Sequence, residues 1–176
     1  MTHRLAPLAA AGTLLASCQA VPPTDLSGAV DTHDAMVRGI NPAAMAIWDV
    51  SNNAMSETGG LDPAPMDNVA WFKLQEAARS LELHSRRMAE AETIHVSAHN
   101  DETEGFATRA EIQAMIDADP DGFREMSQKL AEDARELYDA AIERDAQRSG
   151  DLADGLSENC GSCHSRYWEK PQIGGR

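Results

Sequence analysis

The chain has 176 residues, with 29 Asp and Glu against 15 Lys and Arg and a formal net charge of −14. That length suits one domain, and the acidic balance excludes the basic surface that nucleic-acid binding needs. Aromatic residues make up only 5% of the chain, and the prevalence of Ala, Glu, Arg, Met and Leu favours helices.

The first residues read as an export signal. Thr2-His3-Arg4 precede an apolar stretch at residues 5–16, too short for a membrane-spanning helix, which needs about 20 residues. Leu15-Ala16-Ser17-Cys18 resembles a bacterial lipobox. The resemblance implies a lipoprotein signal peptide at residues 1–17, diacylation of Cys18, and a lipidated tether at 18–29 that includes Val21-Pro22-Pro23-Thr24. The folded domain is then residues 30–176. Gln19 rather than Asp at the following position points to the periplasmic side of the outer membrane. Such a chain is anchored to a membrane by lipid alone and does not span it. The alternative is an ordinary secreted chain with Cys18 left free.

Four helical segments follow. Residues 31–54 predict a first helix interrupted at Asn41-Pro42, where Pro42 either kinks the helix or opens a second one capped by Asn41. Residues 67–96 predict the next, with Asp67 as cap and Leu74, Ala77, Ala78, Leu81, Met88 and Ala91 as its apolar stripe. A third runs from residue 119 or 121 to 148, carrying Phe123, Met126, Leu130, Ala134, Leu137, Tyr138 and Ala141 on one face. A short helix around 109–116 precedes it. The last covers residues 149–168, where Leu152, Leu156, Cys160, Cys163 and Tyr167 recur at helical spacing. No segment reads as a convincing strand. The expectation is an all-α antiparallel four-helix bundle.

The last helix contains Cys160-Gly161-Ser162-Cys163-His164, the C-x-x-C-H pattern of covalent c-type haem attachment. Two thiols at this spacing add across the vinyl groups of one haem, and the adjoining imidazole becomes the proximal iron ligand. A closed zinc site would want four ligands, and only one such pair is present. A thioredoxin-like pair belongs at a strand-to-helix turn. The three cysteines are used up by one lipid and two thioethers, so no disulfide remains. Cys160 and Cys163 thus sit on the apolar stripe, and one covalent haem c hung there would face the bundle interior.

A haem motif on the last helix of a four-helix bundle resembles the class II cytochromes, that is, cytochrome c′ and its low-spin relatives. The first-helix segment from Met36 to Asp49 and the end segment from Cys160 to Trp168 look like those of bacterial members of this group. The class implies a distal side built by the first helix, where Met binds iron in low-spin members and an apolar residue covers an open position in high-spin ones. Met36, Met45, Met55 and His33 are the candidates, and Met36 is preferred because the resembling segment also carries Met before the Asn-Pro step. Pro42 departs from the continuous helix of typical members. Arg38 is a candidate propionate partner, and His84 is a candidate haem contact. The three tryptophans read as packing.

The leading expectation is a monohaem carrier of single electrons between periplasmic redox proteins. The alternative is a five-coordinate protein that binds small gases such as NO or CO. A haem-free helical lipoprotein is the third. No enzymatic role is expected, since the first helix offers no acid–base pair for peroxidase chemistry. The class also allows a homodimer through the first two helices.

Overall fold

The computed structural model describes residues 28–97 and 106–169. The signal segment, Cys18, the start of the tether and His99 lie outside the described residues.

The first rod has three consecutive pieces: α1 (Thr32–Ala35), a π-helical turn (Met36–Ile40) and α2 (Asn41–Asn53). Asp31 caps it, accepting the Asp34 N–H at 3.1 Å. The expected interruption at Pro42 takes another form. Ile40 and Asn41 keep right-handed helical angles, and no side chain caps α2. Pro42 has no N–H for the carbonyl four residues back, and its ring crowds that carbonyl. The preceding turn widens instead of breaking, and the Asn41 N–H donates to Met36 O, five residues back.

Asp67 caps α3 (Asn68–Ala89), accepting from the N–H groups of Val69 and Ala70, both at 2.8 Å. The helix ends before the expected residue 96, because Thr93–His95 form a strand, β2. It pairs in parallel with β1 (Ala29–Asp31), aligning Val30 with Ile94. Three residues are too few to leave a period-two signal, so this pair was not legible in advance. The Gln113 side chain borders β2 on its free side, donating to Ile94 O at 3.1 Å and accepting from Val96 N–H at 2.9 Å.

Gln113 belongs to α4 (Arg109–Ala118), which starts at a reciprocal Thr108–Glu111 capping box. Next comes α5 (Pro120–Glu143), capped by Asp119 with proline at its first position. It stops at Arg144, which adopts a left-handed conformation with φ of 57°. Asp145 then caps α6 (Ala146–Tyr167) by accepting the Arg148 N–H at 3.0 Å. The boundary expected near residue 148 therefore falls a turn earlier, at a non-glycine residue that gives no sequence warning.

The first rod, α3, α5 and α6 form an all-α bundle, with α4 packed on α5 and α6. The most extensive pairing is α3 with α5. Ala77, Ala78, Ala131, Ala134, Ala140 and Ala141 are all buried, and side chains this small let two helix axes approach closely. Ile47, Leu74, Leu81, Met88, Leu137 and Leu156 are almost wholly enclosed, each contributing about 1.5–3 kcal/mol of apolar burial. The two-residue link between α5 and α6 makes them an antiparallel hairpin.

Two contacts fix how α6 sits. Near its start, Gly150 lies against the Gly60–Leu61 backbone, so close that a Cβ would stand 2.7 Å from Leu61 N. Near its end, the Tyr167 hydroxyl donates to Asp119 Oδ2 at 2.9 Å, and Arg166 pairs with the same carboxylate. These bonds hold the Asp119 carboxyl below its usual value: Tyr167 contributes most, burial opposes, and the Gly122 N–H and Arg166 add to the lowering.

Gly150→Ala is expected to destabilise by about 1–3 kcal/mol, because rigid backbone rather than a mobile side chain blocks the methyl. Urea unfolding would show a lower midpoint at unchanged slope. A depressed carboxylate pKa stabilises above the unfolded value of about 3.9, and the effect is lost as pH falls through the folded value. The melting-temperature gap between wild type and Asp119→Ala is therefore expected to be full near neutrality and to narrow below about pH 4. A gap that stays constant across this range would contradict the assignment.

Candidate functional site

The haem-motif residues lie in the last two turns of α6. Cys160 and Cys163 are both half-buried and free of any disulfide. Cys163 and His164 line a cleft of about 270 Å³ together with Thr32, His33, Met36, Val37 and Asn41 of the first rod. Val96, Ile112, Ile116, Phe123, Tyr167 and Trp168 complete the walls. Cys160 stands one turn before Cys163 and outside this lining.

The local electrostatics suit uncharged ligands. Burial raises the Cys160 thiol above its usual value and pushes Cys163, with Cys160 beside it, up to about 11. Burial likewise holds the His164 imidazole below the usual histidine value, against the pull of Glu169. Near neutrality His164 is thus a neutral imidazole, the form that can ligate a metal, while the cysteines are protonated thiols. A zinc site or a redox-active pair would instead favour thiolates. Among the described residues, no group of three or more His, Cys, Asp or Glu side chains is arranged to hold a metal ion.

His164 is backed by aromatic rings. Trp168 meets it edge-on, with centroids 4.7 Å apart at 70°, and stacks on Phe106 at 4.3 Å and 18°. The backbone holds this bracket together, as Ala107 N–H donates to Trp168 O at 2.9 Å. On the other side of the motif, Tyr167 packs edge-on against Phe123 at 5.3 Å.

The remaining candidates separate clearly. Met36 is half-buried in the cleft with His33, whereas Met45 and Met55 are 63% and 59% exposed. Arg38 is turned to solvent and pairs with Asp34 at 2.8 Å. His84 packs against Gly39 and does not line the cleft. His95 lies 3.5 Å from Asp31. Trp71 is buried and Trp48 is half-buried, but Trp168 is a ring neighbour of His164, beyond the packing role read for it from sequence.

Sequence reasoning missed the contribution of the segment between α3 and α5: Val96, Phe106, Ile112 and Ile116. The Thr108-x-x-Glu111 spacing was a usable signal for the start of α4. Nothing local pointed to Val96 or Phe106.

The residues present fit a covalently attached haem. The neutral Cys163 thiol and the His164 imidazole stand on one wall, with Cys160 one turn away, and the half-buried Met36 thioether on another lies in the same largely apolar cleft. A family model described as Cytochrome C′ matches residues 64–168, well over half of the chain. The match takes in α3 through α6 and the haem motif but not the first rod, so it covers the proximal side only. No curated protein and no solved structure matches the chain. With this family match and an all-helical bundle carrying the motif on its last helix, the chain belongs to the cytochrome c′ family of haem-binding c-type cytochromes.

Proposed function

We propose that the protein is a monohaem electron carrier. One haem is held through thioethers at Cys160 and Cys163, with His164 as proximal ligand and Met36 as distal ligand. The observation that carries this reading is the position of Met36, which shares a cleft with His164 and Cys163 while Met45 and Met55 face solvent.

The bound group supplies a one-electron iron couple, and a thioether ligand favours its ferrous state and so raises the potential. The chain's own residues do the rest. His164 is kept neutral by burial and fixed by its Trp168 contact. Phe123, Ile112 and Ile116 exclude water from the wall beside it. The cleft is about 270 Å³, and electron exchange would need one edge of the bound macrocycle to stay near the surface. The excess of acidic residues suits periplasmic redox partners with a basic face.

Export and lipidation at Cys18 complete the proposal and put the carrier on the periplasmic side of the outer membrane. Among the described residues, no helix is long and apolar enough to cross a membrane. The mass of the mature N-terminal peptide tests this part, since a diacylated Cys18 and an unmodified secreted terminus differ unmistakably.

The functional test is an optical spectrum of the haem-loaded protein with and without carbon monoxide. Wild type is expected to be low-spin in both redox states and indifferent to carbon monoxide. Met36→Ala is expected to become high-spin when reduced, to bind carbon monoxide and to show a lowered reduction potential. A wild-type protein that is already high-spin and binds carbon monoxide would replace the carrier with the gas-binding reading. A protein without covalent haem would remove both.

A further inference from the structure

His164 lacks the support that a liganding imidazole usually has. The ring nitrogen turned away from a metal normally donates to a carboxylate, a carbonyl or a water, which fixes the ring and makes it a stronger electron donor. Among the described residues, no hydrogen bond reaches the His164 ring, and the Glu169 carboxylate acts on it only through charge. What meets the ring instead is Trp168. The indole stands edge-on at 4.7 Å and 70°, within the separation of about 4.5–7 Å at which aromatic edges and faces attract.

Trp168 is itself pinned. Its N–H donates to His164 O at 2.9 Å, as does the Glu169 N–H, so the end of α6 folds back on the ligand residue. Ala107 N–H donates to Trp168 O at 2.9 Å, and Phe106 bridges Glu169. Phe106 stacks on the indole at 4.3 Å and 18°. Ala107 is buried and Thr108 opens the capping box of α4, so this brace is tied to a helix packed on α6. Core packing explains Trp71, which is 4% exposed, but explains less of Trp168, which is 41% exposed.

We infer that Trp168, braced by Phe106, is the positioning residue for His164: an aromatic edge stands where other sites place a hydrogen-bond acceptor. The inference rests on the proposed role of His164 as proximal ligand and adds what orients the ring and tunes it. A ring contact restricts rotation without drawing on the N–H. The imidazole therefore stays a weak donor, which favours the ferrous state. The Met36 thioether acts in the same direction from the other wall of the cleft.

The test compares haem-loaded protein carrying Trp168→Ala, Trp168→Phe, Phe106→Ala or His164→Ala with its parent. The readouts are the reduction potential, the iron–imidazole stretching band of the ferrous protein by resonance Raman, and helix content by circular dichroism. The band is read in a Met36→Ala background, where the sixth position is open, and the potential with Met36 in place. Trp168→Ala is expected to keep its covalent haem and helix content, to shift the band upward and to lower the potential, because water then accepts the ring N–H. Phe106→Ala is expected to move both the same way by less. Trp168→Phe keeps an aromatic edge and is expected to stay close to the parent. A role in packing alone predicts no shift of the band at unchanged helix content. An unchanged band and potential in Trp168→Ala overturns the inference, and so does a Trp168→Phe variant that behaves like Trp168→Ala. Should Trp168→Ala not accumulate, Phe106→Ala leaves residue 168 in place and decides in its stead. If the band persists in His164→Ala, the ligand assignment itself fails, whatever Trp168 does.

Discussion

One carboxylate ties together the end of the bundle that holds the cleft. Asp119 bonds the first turn of α5 through Gly122 N–H, and it holds the last turn of α6 through Tyr167 and Arg166. Phe123 and Tyr167, the two rings it brings edge to edge, are walls of the cleft, and His164 lies one turn before Tyr167. The proximal side of the site is therefore a by-product of a helix cap. The Asp119 side chain that satisfies the orphan N–H of α5 also sets the angle at which α6 arrives.

The distal side depends on different physics. Thr32, His33 and Met36 follow directly after β1, whose pairing with β2 fixes where the first rod begins. Asp31 serves both purposes: its backbone belongs to the strand pair and its side chain caps α1. Burial pushes its carboxyl upward, but bonds from Asp34 and Ser97 and the nearby His95 outweigh this and leave it lowered. A small parallel sheet in a helical protein thus clamps the start of the first rod, and its central pair, Val30 and Ile94, is also part of the buried core.

The legible and illegible parts of the chain divide along these same lines. Cys160, Cys163 and His164 announce themselves because covalent attachment demands adjacent, fixed residue types. The α3 stripe and its Asp67 cap were readable because amphipathic periodicity and capping are local properties. Met36 could be preferred over Met45 only by resemblance, because its place in the cleft beside His164 is set by tertiary packing that no local pattern carries. Arg144 ends α5 in a conformation usually given to glycine, so the break was expected too late. Phe106 reaches the site by stacking on Trp168 and Val96 by its bond to Gln113 of α4, tertiary contacts that no local pattern encodes.

The β1–β2 pairing also bears on the order of assembly. Ala29 must find Thr93, more than sixty residues along the chain, whereas α5 and α6 are joined by two residues and meet at once. Closing a long loop costs more entropy than forming a hairpin and is rewarded later. The helices carrying Phe123, Cys163 and His164 are thus expected to come together before the first rod is seated. The attachment cysteines would remain open on one side while the proximal half is already in shape. On the proposed reading the first rod would then arrive as a cover over the attached group, and Met36 would be the last residue of the site to be set.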